Sequence, residues 1–153
     1  MAMIGDKSRP QGIFDSGMEF KDAGAIAASA AAQVDSAAKY VDVGTGLFRG
    51  KMILDVSALE IADNNETYDI VIQGSPDTTF TAATSVELVS LHLGAMEIKR
   101  TDTNKDDGTG RYKLYFDNEN DGTFYRYIRV YTVVGGTVAT GINYTAWCVP
   151  QEL

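Results

Sequence analysis

The chain has 153 residues, 44% hydrophobic and 22% charged, which suits one globular domain and excludes a fully disordered chain. Its 21 Asp and Glu against 13 Lys and Arg give a net charge of −8, and an acidic surface without a basic cluster argues against nucleic acid as a partner. The sequence has no apolar run of about 18 residues and does not start like a secretory signal peptide, so we expect neither a membrane span nor a membrane partner.

The first 39 residues differ in composition from the rest of the chain. Residues 21–39 are mostly Ala and small polar side chains. Ala favours a helix, but a helix here has almost no large apolar side chain to bury, and short isolated helices are marginal in water. The sequence therefore predicts an extended or partly helical N-terminal arm over residues 1–39 and a folded domain over residues 40–153. The apolar side chains near the start of the arm are Ile13, Phe14, Met18 and Phe20.

From Tyr40 onward, apolar and polar residues alternate with a period of two, which is the pattern of β-strands. The predicted strands fall at residues 51–58, 68–73, 89–98, 111–116, 123–134 and 140–149. Stretches rich in Gly, Asn and Asp separate them. Many short strands without a convincing helix predict an all-β fold, an antiparallel β-sandwich or a barrel.

The predicted strand over residues 123–134 carries large side chains on both faces. One face has Phe124, Ile128 and Val130. The other has Tyr125, Tyr127, Arg129 and Tyr131. Tyr and Arg are the residues that protein interfaces favour. The alternation is also typical of a central strand whose outer face is covered by loops or the arm of the same chain, and cross-strand Tyr pairs stabilise ordinary sheets. The pattern leaves both interpretations open.

Residues 117–122, with the sequence DNENDG, look like the start of a calcium-binding loop. An EF-hand loop needs a ligand at its twelfth position, but counting from Asp117 that position is Ile128. A second acidic stretch at residues 102–108 has its glycine one place late and Lys113 at position twelve. We therefore predict no metal site and interpret residues 117–122 as the loop of a hairpin that joins the strands at 111–116 and 123–134, in which Gly122 has a positive φ. A looser calcium site between loops is the alternative.

Signs of catalysis are scarce. His92 is the one histidine and Cys148 the one cysteine, so neither an intrachain disulfide nor a zinc site made of these residues is expected. No nucleophile-elbow or glycine-rich phosphate motif is present. We predict a solvent-facing or hydrogen-bonded His92, a buried Cys148, no cofactor and no enzymatic activity.

Two stretches of the chain resemble a known family. The opening IFDSGMEFKDAGAIAASAAAQVDSAAKYVDVG contains Phe-Asp, Asp-Ala-x-Ala-Ile and Val-Asp-x-Gly, and the closing part contains RYIRVYTVVGGT. Together they are similar to the capsid cement, or decoration, proteins of short-tailed bacteriophages. The residues that carry the resemblance best are Arg126, Tyr127, Arg129, Tyr131, Gly135 and Gly136. The leader at residues 1–12 and the acidic loop at 102–110 depart from the family.

The resemblance implies a jelly-roll-like sandwich without catalytic residues. It also implies a structural virion protein, assembled in the host cytoplasm, that binds the capsid exterior and cements neighbouring major capsid subunits. Ile13, Phe14, Met18 and Phe20 would then bind capsid grooves. Tyr125, Tyr127, Arg129 and Tyr131 would contact the capsid or other copies of the chain in a dimer or trimer. The alternative is a carbohydrate-binding or adhesion module in which Trp147 or Tyr125 stacks on sugars.

Overall fold

A computed structural model describes residues 14–95 and 106–151. In these residues two antiparallel β-sheets pack face to face, which confirms the predicted all-β sandwich. The jelly-roll connectivity stays a prediction. The described residues contain no helix with the length and apolarity that crossing a lipid bilayer requires.

The described part of the chain starts with a short 3-10 helix, Ser16–Met18, followed by a series of short strands. These are β1 (Glu19–Lys21), β2 (Ala25–Ile26), β3 (Ala30–Ala31), β4 (Gln33–Val34), β5 (Ala37–Ala38) and β6 (Val41–Asp42). The long strands are β7 (Arg49–Leu59), β8 (Thr67–Ser75), β9 (Val86–Ala95), β11 (Gly110–Asp117), β14 (Tyr127–Gly135) and β15 (Ile142–Pro150). Between them lie β10 (Asp106–Asp107), β12 (Glu119–Asn120) and β13 (Thr123–Phe124).

The first sheet has the strand order β1-β15-β7-β11, and β2 also pairs with β15. The second sheet has the order β10-β9-β8-β14-β3, and β6 also pairs with β14. β4 pairs with β5, and β12 pairs with β13. The two sheets therefore place β15 and β14 next to strands from the N-terminal segment.

The core lies between the inner faces of the two sheets. Its fully buried members are Ala32, Met52, Leu54, Tyr68, Ile70, Ile72, Leu93, Ile128, Val130, Ile142, Tyr144, Ala146 and Cys148. Burying each large aliphatic side chain contributes about 1.5–3 kcal/mol, which makes this layer the main source of stability. The hydroxyls of Thr132 and Tyr144 are 2.6 Å apart within it, so one of them donates a hydrogen bond to the other. Cys148 is fully buried, which confirms the prediction of a buried cysteine, and this burial raises the pKa of its thiol to about 12.

The N-terminal segment is built into both sheets. β1 and β2 pair with the edge of β15 opposite β7, and β3 and β6 pair with the edge of β14 opposite β8. An unpaired sheet edge is a template for aggregation, and these short strands cover one edge of each sheet. The predicted boundary at residue 39 therefore does not separate an arm from the sandwich.

In this segment, the prediction for Phe20 is the main one that the structure corrects. It is 1% exposed and belongs to the hydrophobic core. The neighbouring Lys21 is also buried, and its Nζ donates to the carbonyl oxygens of Asp22, Gly24 and Tyr144 at 2.8–2.9 Å. Burial lowers the pKa of this ammonium. Phe20 is thus a core side chain, and the prediction that it binds a capsid groove is corrected.

The predicted strand over residues 123–134 is interrupted. β13 pairs with β12 in a small hairpin, and β14 starts only at Tyr127. The two residues between β12 and β13, Asp121 and Gly122, have φ values of 52° and 81°, which suits a type I′ turn and confirms the positive φ predicted for Gly122. Phe124 lies on this hairpin and is 47% exposed, so it does not share the core face with Ile128 as predicted.

Asn118 explains where the strand breaks. Its side chain is fully buried, accepts a hydrogen bond from the Phe48 amide at 2.7 Å, and donates to the carbonyls of Gly46 and Tyr125. Its backbone carbonyl also accepts the Tyr125 amide at 2.8 Å. These bonds hold the chain at the point where it leaves the first sheet after β11 and enters the second sheet at β14.

Candidate protein-binding surface

Alternate residues of β14 place Tyr127, Arg129 and Tyr131 on the outer face of the second sheet. The residues between them, Ile128 and Val130, are fully buried in the core. Successive side chains of a strand point to opposite faces, so the three outer residues form one row. This is the face on which the sequence predicted them.

Tyr125 does not belong to that row. It precedes β14, and a Cβ added to Gly74 would come within 2.9 Å of the Tyr125 Cβ. Gly74 is the register partner of Ile128, whose side chain faces the core. Tyr125 therefore packs on the inner side, against the backbone of Gly74, and the prediction that it shares a surface with Tyr127 is corrected.

Arg129 contacts two aromatic rings. Its Cζ lies 4.5 Å from the ring centroid of Phe80 and 5.2 Å from that of Tyr131. Its Nε donates to Oε1 of Gln73 at 2.8 Å. Each cation–π contact contributes about 0.5–1 kcal/mol at an exposed site and more where water is excluded. Burial lowers the pKa of the guanidinium, which Tyr131 partly offsets. The guanidinium is thus held in one place on the sheet.

Tyr40 completes the surface. It is 44% exposed, and its ring centroid lies 5.8 Å from that of Tyr127 and 6.3 Å from that of Phe80. Edge-to-face and tilted pairs at these distances are favourable. We call the set of Tyr40, Phe80, Tyr127, Arg129 and Tyr131 the aromatic–arginine surface.

Phe80 has an unusual backbone conformation. Its φ is 50°, in the left-handed region, where a bulky side chain costs of order 1–3 kcal/mol. The loop before it is fixed by Asp77, whose Oδ1 accepts from the amide and the hydroxyl of Thr79, and the same hydrogen bonds lower the pKa of Asp77. Phe80 is only 6% exposed, because it packs under Tyr40 and against Arg129.

The sequence did not point to Tyr40 or Phe80 as part of this surface. One signal was available for Phe80, an isolated large aromatic in the loop sequence DTTFTAAT at residues 77–84. A polar loop seldom holds such a residue without packing it against something. The loop covers part of the outer face, so the surface is partly buried by the chain itself and partly open.

The two ends of the family-like sequence meet beside this surface. β6 pairs with the start of β14, and Arg126 Nε and Nη2 donate to the two carboxylate oxygens of Asp42 at 2.9 and 2.8 Å. The Arg126 side chain lowers the pKa of that carboxyl, as does the Gly44 amide. Asp42 belongs to the opening Val-Asp-x-Gly motif and Arg126 to the closing motif, so this ion pair connects the two motifs.

Gly136 in the closing motif has a structural reason to be glycine. Its φ is 89°, and a Cβ there would lie 2.1 Å from the carbonyl oxygen of Asn65. The Asn65 Oδ1 also accepts the Thr137 amide at 2.9 Å. No side chain fits at this position without displacing the loop.

The other predicted arm residues lie on or near the first sheet. Phe14 is 52% exposed, and its ring packs edge-on against Trp147 with centroids 5.6 Å apart. Met18 is half-buried against the core. Ile13 lies outside the described residues. Whether Phe14 and Met18 bind a capsid stays a prediction.

The loop at residues 117–122 is organised by its own hydrogen bonds. Asp117 Oδ1 accepts the Glu119 amide at 3.1 Å, and Glu119 Oε1 accepts the Gly122 amide at 2.5 Å. Within residues 14–95 and 106–151, no group of three or more His, Cys, Asp and Glu side chains is placed to hold a metal ion. Most of the second acidic stretch, at residues 102–105, lies outside the described residues.

His92 is exposed and hydrogen-bonded, as predicted. Its Nδ1 lies 2.7 Å from Oδ1 of Asp69 on the neighbouring strand β8. This pair is on the outer face of the second sheet, at the other end from Tyr127.

Neither a protein-family model nor a curated protein matches this chain.

Proposed function

We propose that this chain is a structural virion protein that binds the outer surface of a phage capsid and cements neighbouring major capsid subunits. The observation that carries the proposal is the aromatic–arginine surface. Tyr127, Arg129 and Tyr131 are among the residues that carry the family resemblance. They form one row on the outer face of the second sheet, where they are partly exposed and Arg129 is held by contacts with aromatic rings. Aromatic side chains beside an arginine are the composition that protein interfaces favour.

The architecture suits repeated binding to a lattice. The N-terminal strands cover an edge of each sheet, so copies crowded on a shell are less prone to join through those edges. The net charge of −8 also opposes association between free copies. Weak contacts repeated over many capsid subunits gain by avidity, so each copy needs only a modest interface. The protein would be made in the host cytoplasm and act on the capsid exterior, without a cofactor or catalysis.

Co-sedimentation with capsids of the source phage that lack this protein tests the proposal. We expect the purified chain to pellet with the capsids and to saturate at a fixed ratio to the major capsid protein. The double variant Tyr127→Ala/Tyr131→Ala should bind at least about 10-fold more weakly, because aromatic interface residues carry much of the binding energy. The control, Phe124→Ala, removes an exposed aromatic of the β12–β13 hairpin and should bind like the wild type.

Absence of saturable pelleting by the wild-type chain would contradict the proposal. If the same preparation instead bound sugars on a glycan array, the alternative of a carbohydrate-binding module would replace it. Trp147 would be the first residue to test there, although the edge of Phe14 already covers part of its ring.

A further inference from the structure

Most of the hydrogen-bonding capacity of Arg129 is unused. A guanidinium has five N–H donors in a planar fork. In the part of the chain that the structure describes, Nε donates to Gln73, and the amino groups Nη1 and Nη2 have no hydrogen-bond acceptor. Glu87, the register partner of Gln73 on β9, forms no ion pair with Arg129. The fork is therefore held from one side and free on the other.

Two other arginines show what a satisfied fork looks like in this protein. Arg126 binds both oxygens of Asp42, and Arg111 binds both oxygens of Asp55 at 2.6 and 2.7 Å. In each case a carboxylate from a neighbouring strand takes Nε and Nη2. Arg129 has a neutral amide at Nε and no carboxylate at its amino groups, although its side chain is half-buried.

This arrangement favours one kind of ligand. Contacts with Phe80 and Tyr131 fix the plane of the guanidinium, so little side-chain entropy remains to be lost on binding. A fixed planar fork matches a carboxylate, which accepts two parallel hydrogen bonds. Tyr127 lies two residues before Arg129 on the same face, and Tyr40 packs against Tyr127. Aromatic rings that shield a charged contact from water strengthen it.

We propose that Arg129 is the residue through which this protein recognises a carboxylate of the major capsid protein, an Asp or Glu side chain that enters the aromatic–arginine surface. The inference rests on the proposed function, because it names the chemistry of the partner at the same surface. The source is assigned to the capsid and not to a second copy because copies of this acidic chain repel one another, whereas capsid binding supplies the avidity that holds them close.

The test measures capsid affinity for the wild type, Arg129→Lys and Arg129→Gln by quantitative co-sedimentation. Lysine keeps the positive charge but lacks the planar fork, so we expect binding about 10-fold weaker; glutamine removes the charge as well, and we expect about 30-fold or more. Arg111→Lys is the matched control and should bind like the wild type, because Arg111 lies on β11, at the edge of the first sheet and separated by β7 from the Phe14–Trp147 pair. Melting curves verify that each variant is folded.

A second arm identifies the partner group. Capsids are treated with carbodiimide and ethanolamine, which converts accessible carboxylates into neutral amides, and intact particles are recovered by sedimentation. We expect wild-type affinity to fall on these capsids and the difference between wild type and Arg129→Lys to disappear, since both changes remove one interaction.

Three results would overturn the inference. If Arg129→Lys bound untreated capsids as well as the wild type, the carboxylate assignment would be wrong and the proposed function would stand. If the Arg129→Lys defect persisted in full on amidated capsids, the group that Arg129 binds would not be a capsid carboxylate. If the wild type failed to bind capsids at all, the inference and the proposed function would fall together.

Discussion

Asn118 shows how one buried polar side chain can set the course of the chain. Its amide group contacts three segments, around Phe48, Gly46 and Tyr125, and every polar atom of the side chain has a partner. Fully satisfied buried networks specify a single arrangement, whereas a half-satisfied one is costly. Asn118 therefore connects the loop before β7, the end of β11 and the start of β14.

Asn118→Ala should destabilise the fold. The substitution leaves the Phe48 amide and the carbonyls of Gly46 and Tyr125 without a partner, and each unpaired buried group costs about 1–3 kcal/mol. Because water can reach part of the loop, we expect a total loss of about 2–4 kcal/mol in the free energy of unfolding. For a domain of this size that lowers the melting temperature by roughly 5–15 °C, which calorimetry measures.

The control is Asn120→Ala, two residues away on the exposed strand β12. It should shift the melting temperature by about 2 °C or less, as surface substitutions usually do. Equal melting temperatures for Asn118→Ala and the wild type would show that this side chain does not hold the segments together.

Around Asn118 the sequence predicted the turn at Asp121 and Gly122 but not the hydrogen bonds of the Asn118 side chain. The polar run DNENDG predicted a tight turn and the positive φ of Gly122, because turn chemistry is local. The predicted hairpin between residues 111–116 and 123–134 is wrong, because β11 pairs with β7 in the first sheet and β14 pairs with β8 in the second. Nothing local distinguishes Asn118 from Asn120, since the partners of Asn118 at Gly46 and Phe48 are 72 and 70 residues away. The same holds for Arg129. The alternation along its own strand predicted that it lies on the outer face, but its contact with Phe80 could not be predicted, because Phe80 lies in a loop distant in sequence.

The N-terminal segment is the element in which sequence and structure differ most. Small side chains with few large apolar residues suggested an extended or partly helical arm. The structure shows that such residues form edge strands, in which backbone hydrogen bonds to β15 and β14 replace side-chain burial. The long strands were predictable because their alternating pattern reflects burial directly, and β7, β8, β11 and β15 lie close to the predicted ranges.

Phe20→Ala tests whether this segment is part of the core. Removing a fully buried ring leaves a cavity, and we expect a loss of about 3–5 kcal/mol in the free energy of unfolding, measured by denaturant titration. Phe14→Ala is the matched control. That ring is half-exposed and has an aromatic contact with Trp147, so about 1 kcal/mol or less should be lost.

Equal losses for the two variants would contradict the placement of Phe20 in the core. If Phe20→Ala does not fold, Phe20→Leu provides the comparison, because it keeps most of the buried volume and should lose less stability than the alanine variant.

The whole molecule is a sandwich whose two faces differ. The first sheet presents the Phe14–Trp147 pair, and the second presents the aromatic–arginine surface, with the Asp42–Arg126 ion pair beside it. A rigid sheet presents its side chains in fixed positions, so binding does not have to order a loop first. The proposed bridging of two capsid subunits requires two contact regions, and we propose these two faces for that role.

Cryo-electron microscopy of capsids saturated with the protein tests this account of the molecule. We predict density for the sandwich on the capsid exterior, at positions that bridge adjacent major capsid subunits, with Tyr127, Arg129 and Tyr131 of β14 within contact distance of a capsid acidic residue. Density inside the shell, density over a single subunit only, or an aromatic–arginine surface that faces solvent would contradict it.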